Sequence, residues 1–134
     1  AAFLALERTF FTHKNYLEIR AGSSIGSLGT NINTSDHSYV FSLYLITKLY
    51  LLSTKHFKLF ILYSPGGPSY LSNTSFATTK FSNNFVFQNQ LGLGLTIKDK
   101  LGFFLKIYHF SNGDLFPVNG GIDTPLLMGI SIGI

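Results

Sequence analysis

The sequence predicts an all-β protein: a small antiparallel β-barrel of the transmembrane kind, built on an eight-strand plan. Three observations carry that prediction. Apolar residues recur at every second position along most of the chain, which is the strand period. The 134 residues are 46% hydrophobic and only 12% charged, an unusual balance for a water-soluble single domain, here residues 1–134. The third is the lack of a run approaching the ~20 apolar residues that a spanning helix needs. The richest, Val40 to Leu51, is interrupted by Ser42, Thr47 and Lys48. A chain that enters a bilayer without such a helix must satisfy its backbone N–H and C=O groups in a closed barrel.

The strands follow in order. Residues 2–11 form the first candidate, and its Glu7 and Arg8, with no basic stretch before them, do not read as an export signal. In 15–25, Tyr16, Glu18 and Arg20 alternate with Leu17, Ile19 and Ala21. In 38–51 the row Tyr39, Phe41, Leu43, Leu45 opposes Ser42, Tyr44, Lys48 and Tyr50. In 55–64, Phe57, Leu59, Ile61 and Tyr63 alternate with His56, Lys58, Phe60 and Leu62. The cleanest case lies in 83–97, where Leu91, Leu93, Leu95 and Ile97 alternate with Gly92, Gly94 and Thr96. Residues 101–110 and 124–134 complete the set, the latter with Leu126, Met128, Ile130, Ile132 and Ile134 in one row.

The apolar row should face lipid and the mixed row should fill the lumen, placing Glu18, Arg20, Lys48, Lys58 and Lys106 inside, where opposite charges can pair. Thr12-His13-Lys14, Ser53-Thr54-Lys55 and Lys98-Asp99-Lys100 read as short turns; longer polar stretches cover 27–37, 64–84 and 111–123. Short periplasmic turns alternating with long outer loops are the pattern of outer-membrane barrels. Seven strands are clear. An even count requires one more, either absent from this chain or supplied by Ser69 to Thr79. Pro65-Gly66-Gly67-Pro68 reads as a turn, and Gly92 and Gly94 as close packing in the lumen.

The formal net charge of +4 suits binding to an anionic surface, such as a lipid bearing phosphates. Its scattered basic residues give nucleic acid no patch to bind. His13, His37 and His56 have no metal-like spacing with one another or with carboxylates.

Chemistry concentrates in 101–111. Phe103, Leu105, Ile107, His109 and Ser111 share the face that should meet hydrocarbon, so an apolar row ends in a histidine and a serine. At i and i+2 on a strand these are neighbours on one surface, ~6.5–7 Å apart along the chain. A serine hydroxyl becomes a nucleophile when a base takes its proton, so the pair is minimal equipment for acyl transfer. Asp123, just before the last strand, can supply the acid that orients the imidazole. On strict alternation it has the inward phase of Leu127 and Gly129, and a bulge at Thr124-Pro125 would turn it outward.

His109-Phe110-Ser111-Asn112-Gly113, followed by Pro117-Val118-Asn119-Gly120-Gly121-Ile122-Asp123, resembles the C-terminal signature of the lipid A 3-O-deacylase family. The likeness extends weakly upstream through 87–95 and the strands 38–51 and 55–64, over about the last two-thirds of the chain; its last thirty or so residues are the specific part. It implies an eight-stranded bacterial outer-membrane barrel whose second to eighth strands are the seven read here. It implies Ser111 as nucleophile, His109 as base, and Asp123 where the family has glutamate, one methylene longer. Asn112, Gly113 and Asn119 would lie in the oxyanion-stabilising and substrate-positioning region. The partner would be lipid A or lipopolysaccharide, losing an ester-linked 3-hydroxyacyl chain; no metal, cofactor or nucleic acid is implied, and a homodimer is left open. The competing readings are a non-enzymatic structural or adhesive barrel, and a soluble lipocalin-like barrel with its apolar rows inside.

Overall fold

A computed structural model of the chain describes residues 1–30, 36–76 and 79–133. Ten strands occur in them: β1 (Ala2–His13), β2 (Leu17–Gly29), β3 (His37–Ser53), β4 (Phe57–Leu71), β5 (Ser75–Phe76), β6 (Thr79–Lys80), β7 (Phe85–Ile97), β8 (Leu101–Ser111), β9 (Ile122–Asp123) and β10 (Leu127–Ile132). One antiparallel sheet runs β1-β2-β3-β4-β7-β8-β10, with β9 beside β8, and β5-β6 form a separate hairpin. The expected all-β barrel architecture is present, with seven long wall strands. The sheet curls until Glu7 of β1 lies 3.6 Å from Lys106 of β8, and Phe3 stacks on Tyr108 with ring centroids 4.5 Å apart. Seven alternating strands leave β1 and β10 running in the same direction, and these two edges face each other across a cleft.

Burial follows the pleat. Along β3 the side chains of Tyr39, Phe41, Leu43 and Leu45 are exposed, while Val40, Ser42, Tyr44 and Ile46 are buried. The same alternation runs down β8, from exposed Leu101 to exposed His109. Leu4, Met128 and Ile132 are 75%, 85% and 77% exposed on the outer wall. So continuous an apolar exterior suits hydrocarbon, and it excludes the soluble barrel, whose apolar rows must point inward.

The lumen is packed in layers. Leu28, Val40, Leu71, Val86, Tyr108 and Phe110 form one apolar cluster, and Tyr44, Ile46, Phe60 and Leu62 another. Charges pair around them. Glu7 lies 3.5 Å from Arg20, 3.9 Å from Lys48 and 3.6 Å from Lys106, and Arg20 also meets Glu18 at 3.3 Å. The sequence placed Glu18, Arg20, Lys48 and Lys106 here but left out Glu7, which faces three of the cations. Lys58 departs from that group: it pairs at 2.8 Å with Asp99 of the β7–β8 turn. The glycines of β7 give the rings room. A Cβ at Gly94 would stand 2.2 Å from the Phe60 ring.

Two local expectations fail. Pro65 to Pro68 is not a turn, because β4 continues through it to Leu71. The pairing of β4 with β7 slips by one residue between Ser64 and Gly67, and Gly66 takes φ +58°. This is a bulge, where proline's missing N–H costs no ladder bond. Ser69 to Thr79 supplies no wall strand either. Ser69 to Leu71 finish β4, and Ser75–Phe76 pair with Thr79–Lys80 in the outer hairpin. The expected 27–37 loop begins later, since Ser27 to Gly29 complete β2; residues 31–35 lie outside the described residues.

Candidate active site

β8 runs from a short turn at Leu101 to a long loop after Ser111, so His109 and Ser111 reach the long-loop rim of the barrel. Both follow the exposed phase of Phe103, Leu105 and Ile107 on the outer wall. The loop from Asn112 to Gly121 then doubles back to β9, whose register sets Asp123 directly opposite His109. Asp123 Oδ1 lies 2.7 Å from His109 Nδ1.

A bulge decides which way Asp123 points. Thr124 still pairs with Tyr108: its N–H donates to the Tyr108 carbonyl at 2.9 Å, and Tyr108 N–H donates to its Oγ1 at 2.9 Å. By Leu127 the partner is Lys106, so Pro125 and Leu126 together oppose the single residue Ile107. The extra residue flips the phase. Upstream of it Thr124 is buried and Asp123 exposed; downstream Leu127 turns inward and Met128 outward. The inward direction that strict alternation gives Asp123 is therefore not the one observed, and the bulge sits one residue later than Thr124-Pro125.

The loop after Ser111 is held by its own polar groups. Asn112 is fully buried, and its side-chain amide donates to the Val118 carbonyl at 2.8 Å. Its backbone N–H donates to Asn119 Oδ1 at 2.9 Å, and Asn119 donates in turn to Asp114 at 2.8 Å. Gly113 takes φ +63° and Asp114 φ +58°, a left-handed pair that reverses the chain immediately after the serine. The outer hairpin braces this loop from the far side: Gly120 N–H donates to the Lys80 carbonyl at 2.9 Å, and Thr79 Oγ1 donates to the Gly121 carbonyl at 3.1 Å. Sequence reasoning passed over that hairpin, because the two short strands carry no period long enough to register.

Of the six candidate residues, His109 and Asp123 are in direct contact, and Ser111 is the next outward residue on the same strand. Asn112 and Asn119 are joined to each other. Among the described residues no hydrogen bond links Ser111 to the imidazole, and the Gly113 N–H has no partner. Chemically, a carboxylate that accepts from Nδ1–H leaves Nε2 bare to act as a base.

A family model described as lipid A 3-O-deacylase (PagL) matches residues 4–128. A solved structure described as the crystal structure of the outer membrane enzyme PagL superposes with a TM-score of 0.72 at 18% sequence identity. The match covers 98% of this chain and 87% of that one. No curated protein sequence matches the chain.

Proposed function

Since this chain belongs to the lipid A 3-O-deacylase family, we propose that it resides in the bacterial outer membrane and hydrolyses an ester-linked 3-hydroxyacyl chain of lipid A through Ser111, His109 and Asp123. The observation that carries this reading is the 2.7 Å contact between Asp123 and His109 on the outward face of the wall. A carboxylate and an imidazole are costly on a surface otherwise given to hydrocarbon. Their place beside a serine at the rim is where the ester of an embedded lipid would lie.

Asp123 fixes the tautomer with the proton on Nδ1, so Nε2 takes the proton from Ser111 Oγ as that oxygen attacks the ester carbonyl. A C–O bond forms and the carbonyl oxygen becomes an oxyanion. The Gly113 N–H, unused by the loop, is the donor available to it. Asn112 and Asn119 spend their polar groups on the loop itself and position that donor. Collapse of the intermediate breaks the bond to the glucosamine hydroxyl, which leaves with the proton from Nε2. Water then attacks the acyl-serine with the same base, releasing a 3-hydroxy fatty acid and restoring the serine. Ser111 and His109 make no hydrogen bond in the free protein, and the one the reaction needs forms when substrate fills the site.

The test is mass spectrometry of lipid A after incubation with the refolded protein in detergent, beside Ser111→Ala. Loss of one 3-hydroxyacyl unit with the parent alone is the expected result. Unchanged lipid A with a well-folded parent would favour the structural barrel instead.

A further inference from the structure

The chain's whole formal charge of +4 has one address. Lys14, Lys55, Lys98 and Lys100 all sit on the three short turns and all are exposed, while Lys58 is neutralised there by Asp99. Everywhere else the charges cancel: Arg8, Arg20, Lys48, Lys80 and Lys106 are matched by Glu7, Glu18, Asp36, Asp114 and Asp123. The expectation that this charge serves the phosphates of lipid A therefore meets the wrong end of the barrel. His109, Ser111 and Asp123 lie at the long-loop rim, where Lys80 stands against Asp36, Asp114 and Asp123.

The turn rim is also built as one surface. Lys98 N–H donates to the His56 carbonyl at 2.8 Å, tying the β3–β4 turn to the β7–β8 turn. Gly133 N–H donates to the Lys100 carbonyl at 2.7 Å, and Tyr50 N–H to the Tyr16 carbonyl at 2.7 Å. Lys14 and Lys98 hold φ of +49° and +50°, so two of the four lysines stand at reversal points of the chain. Above this rim lie exposed Phe10, Phe11, Tyr16 and Phe57, rings suited to the headgroup level of a bilayer. Short turns mark the periplasmic end of such barrels.

We propose that this lysine rim binds the phosphates of anionic phospholipids in the periplasmic leaflet, anchoring the barrel from the side opposite its active site. The inference rests on the membrane setting proposed above, but not on the hydrolysis. Aliphatic lysine stems can lie along the apolar wall while the ammonium groups reach the phosphate plane. An anionic leaflet attracts each such charge, and salt weakens the attraction.

The experiment is relative lipid affinity of the folded protein, read by native mass spectrometry of lipids retained on release from detergent. Phosphatidylglycerol competes there with phosphatidylcholine of the same chain length. The parent should keep phosphatidylglycerol several-fold in excess at low salt, with the excess falling as salt rises. The variant K14Q/K55Q/K98Q/K100Q should lose the preference, while K80Q should keep it. Heat-modifiable gel mobility and deacylation in detergent report whether each variant is folded. No preference in the parent, or a preference that survives the four substitutions, overturns the proposal. A parent that selects phosphatidylglycerol yet leaves lipid A intact would instead fail the hydrolase reading alone.

Discussion

Asp123 faces His109 across the β8–β9 pair, its carboxylate 2.7 Å from Nδ1, on a largely apolar outer wall. That pairing should be the most sensitive point in the protein after the serine. Asp123→Asn keeps the shape but favours the wrong tautomer, and should lower kcat by about two to four orders of magnitude with KM little changed. Steady-state rates on lipid A in detergent check it. Near-parent turnover would remove Asp123 from the mechanism and leave a Ser–His dyad.

The bulge at Pro125-Leu126 absorbs the one residue by which the chain between Asp123 and the last strand exceeds strict pairing. Deleting Pro125 gives one-to-one pairing, Thr124 with Tyr108, Leu126 with Ile107 and Leu127 with Lys106, and leaves Asp123 outward opposite His109. The expected outcome is a folded barrel, by heat-modifiable mobility, with turnover close to the parent's and far above that of Asp123→Asn. Turnover as low as that of Asp123→Asn in a folded deletion variant would mean that the bulge shapes the acid's position beyond setting its face.

Gly113 should separate binding from chemistry. At φ +63° an alanine is strained by about 1–2 kcal/mol, and its Cβ would meet the Phe87 ring at 3.4 Å. A shifted N–H would stabilise the oxyanion less well, so Gly113→Ala should cut kcat by about tenfold to a thousandfold while substrate affinity holds. Equal kcat in parent and variant would assign the oxyanion to another donor.

The lumen makes a prediction about stability alone. Glu7 faces Arg20, Lys48 and Lys106, and Lys106 is almost wholly buried. Glu7→Gln leaves those cations short of a counter-charge and should cost about 3 kcal/mol, in the range for breaking a buried pair. Urea unfolding in vesicles measures the loss. A parent-like midpoint would mean that water in the lumen already screens the cations.

Much of this was legible because a strand has period two. The rows of β3, β7 and β8 read directly as wall and lumen, and the three short turns fell where a lysine and its polar neighbours interrupt the alternation. Glu7 escaped because β1 pairs with β2 through a register slip between Thr9 and Phe11, which breaks the row that would have revealed it. The bulge in β4 hid behind two prolines and two glycines, a pattern that serves turns and bulges alike.

By itself, the sequence determined the class of fold, the two faces of most wall strands and the three residues that could carry acyl transfer. These follow from local alternation and from side-chain chemistry. Only the tertiary structure decided that Asp123 meets His109 and that Asn112 is committed to Asn119. It also decided that the net charge gathers at the rim opposite the active site. Contacts of that kind depend on strand register and on which turns lie side by side. A single extra residue at Pro125-Leu126 reverses a face, and its effect appears only when both paired strands are in view.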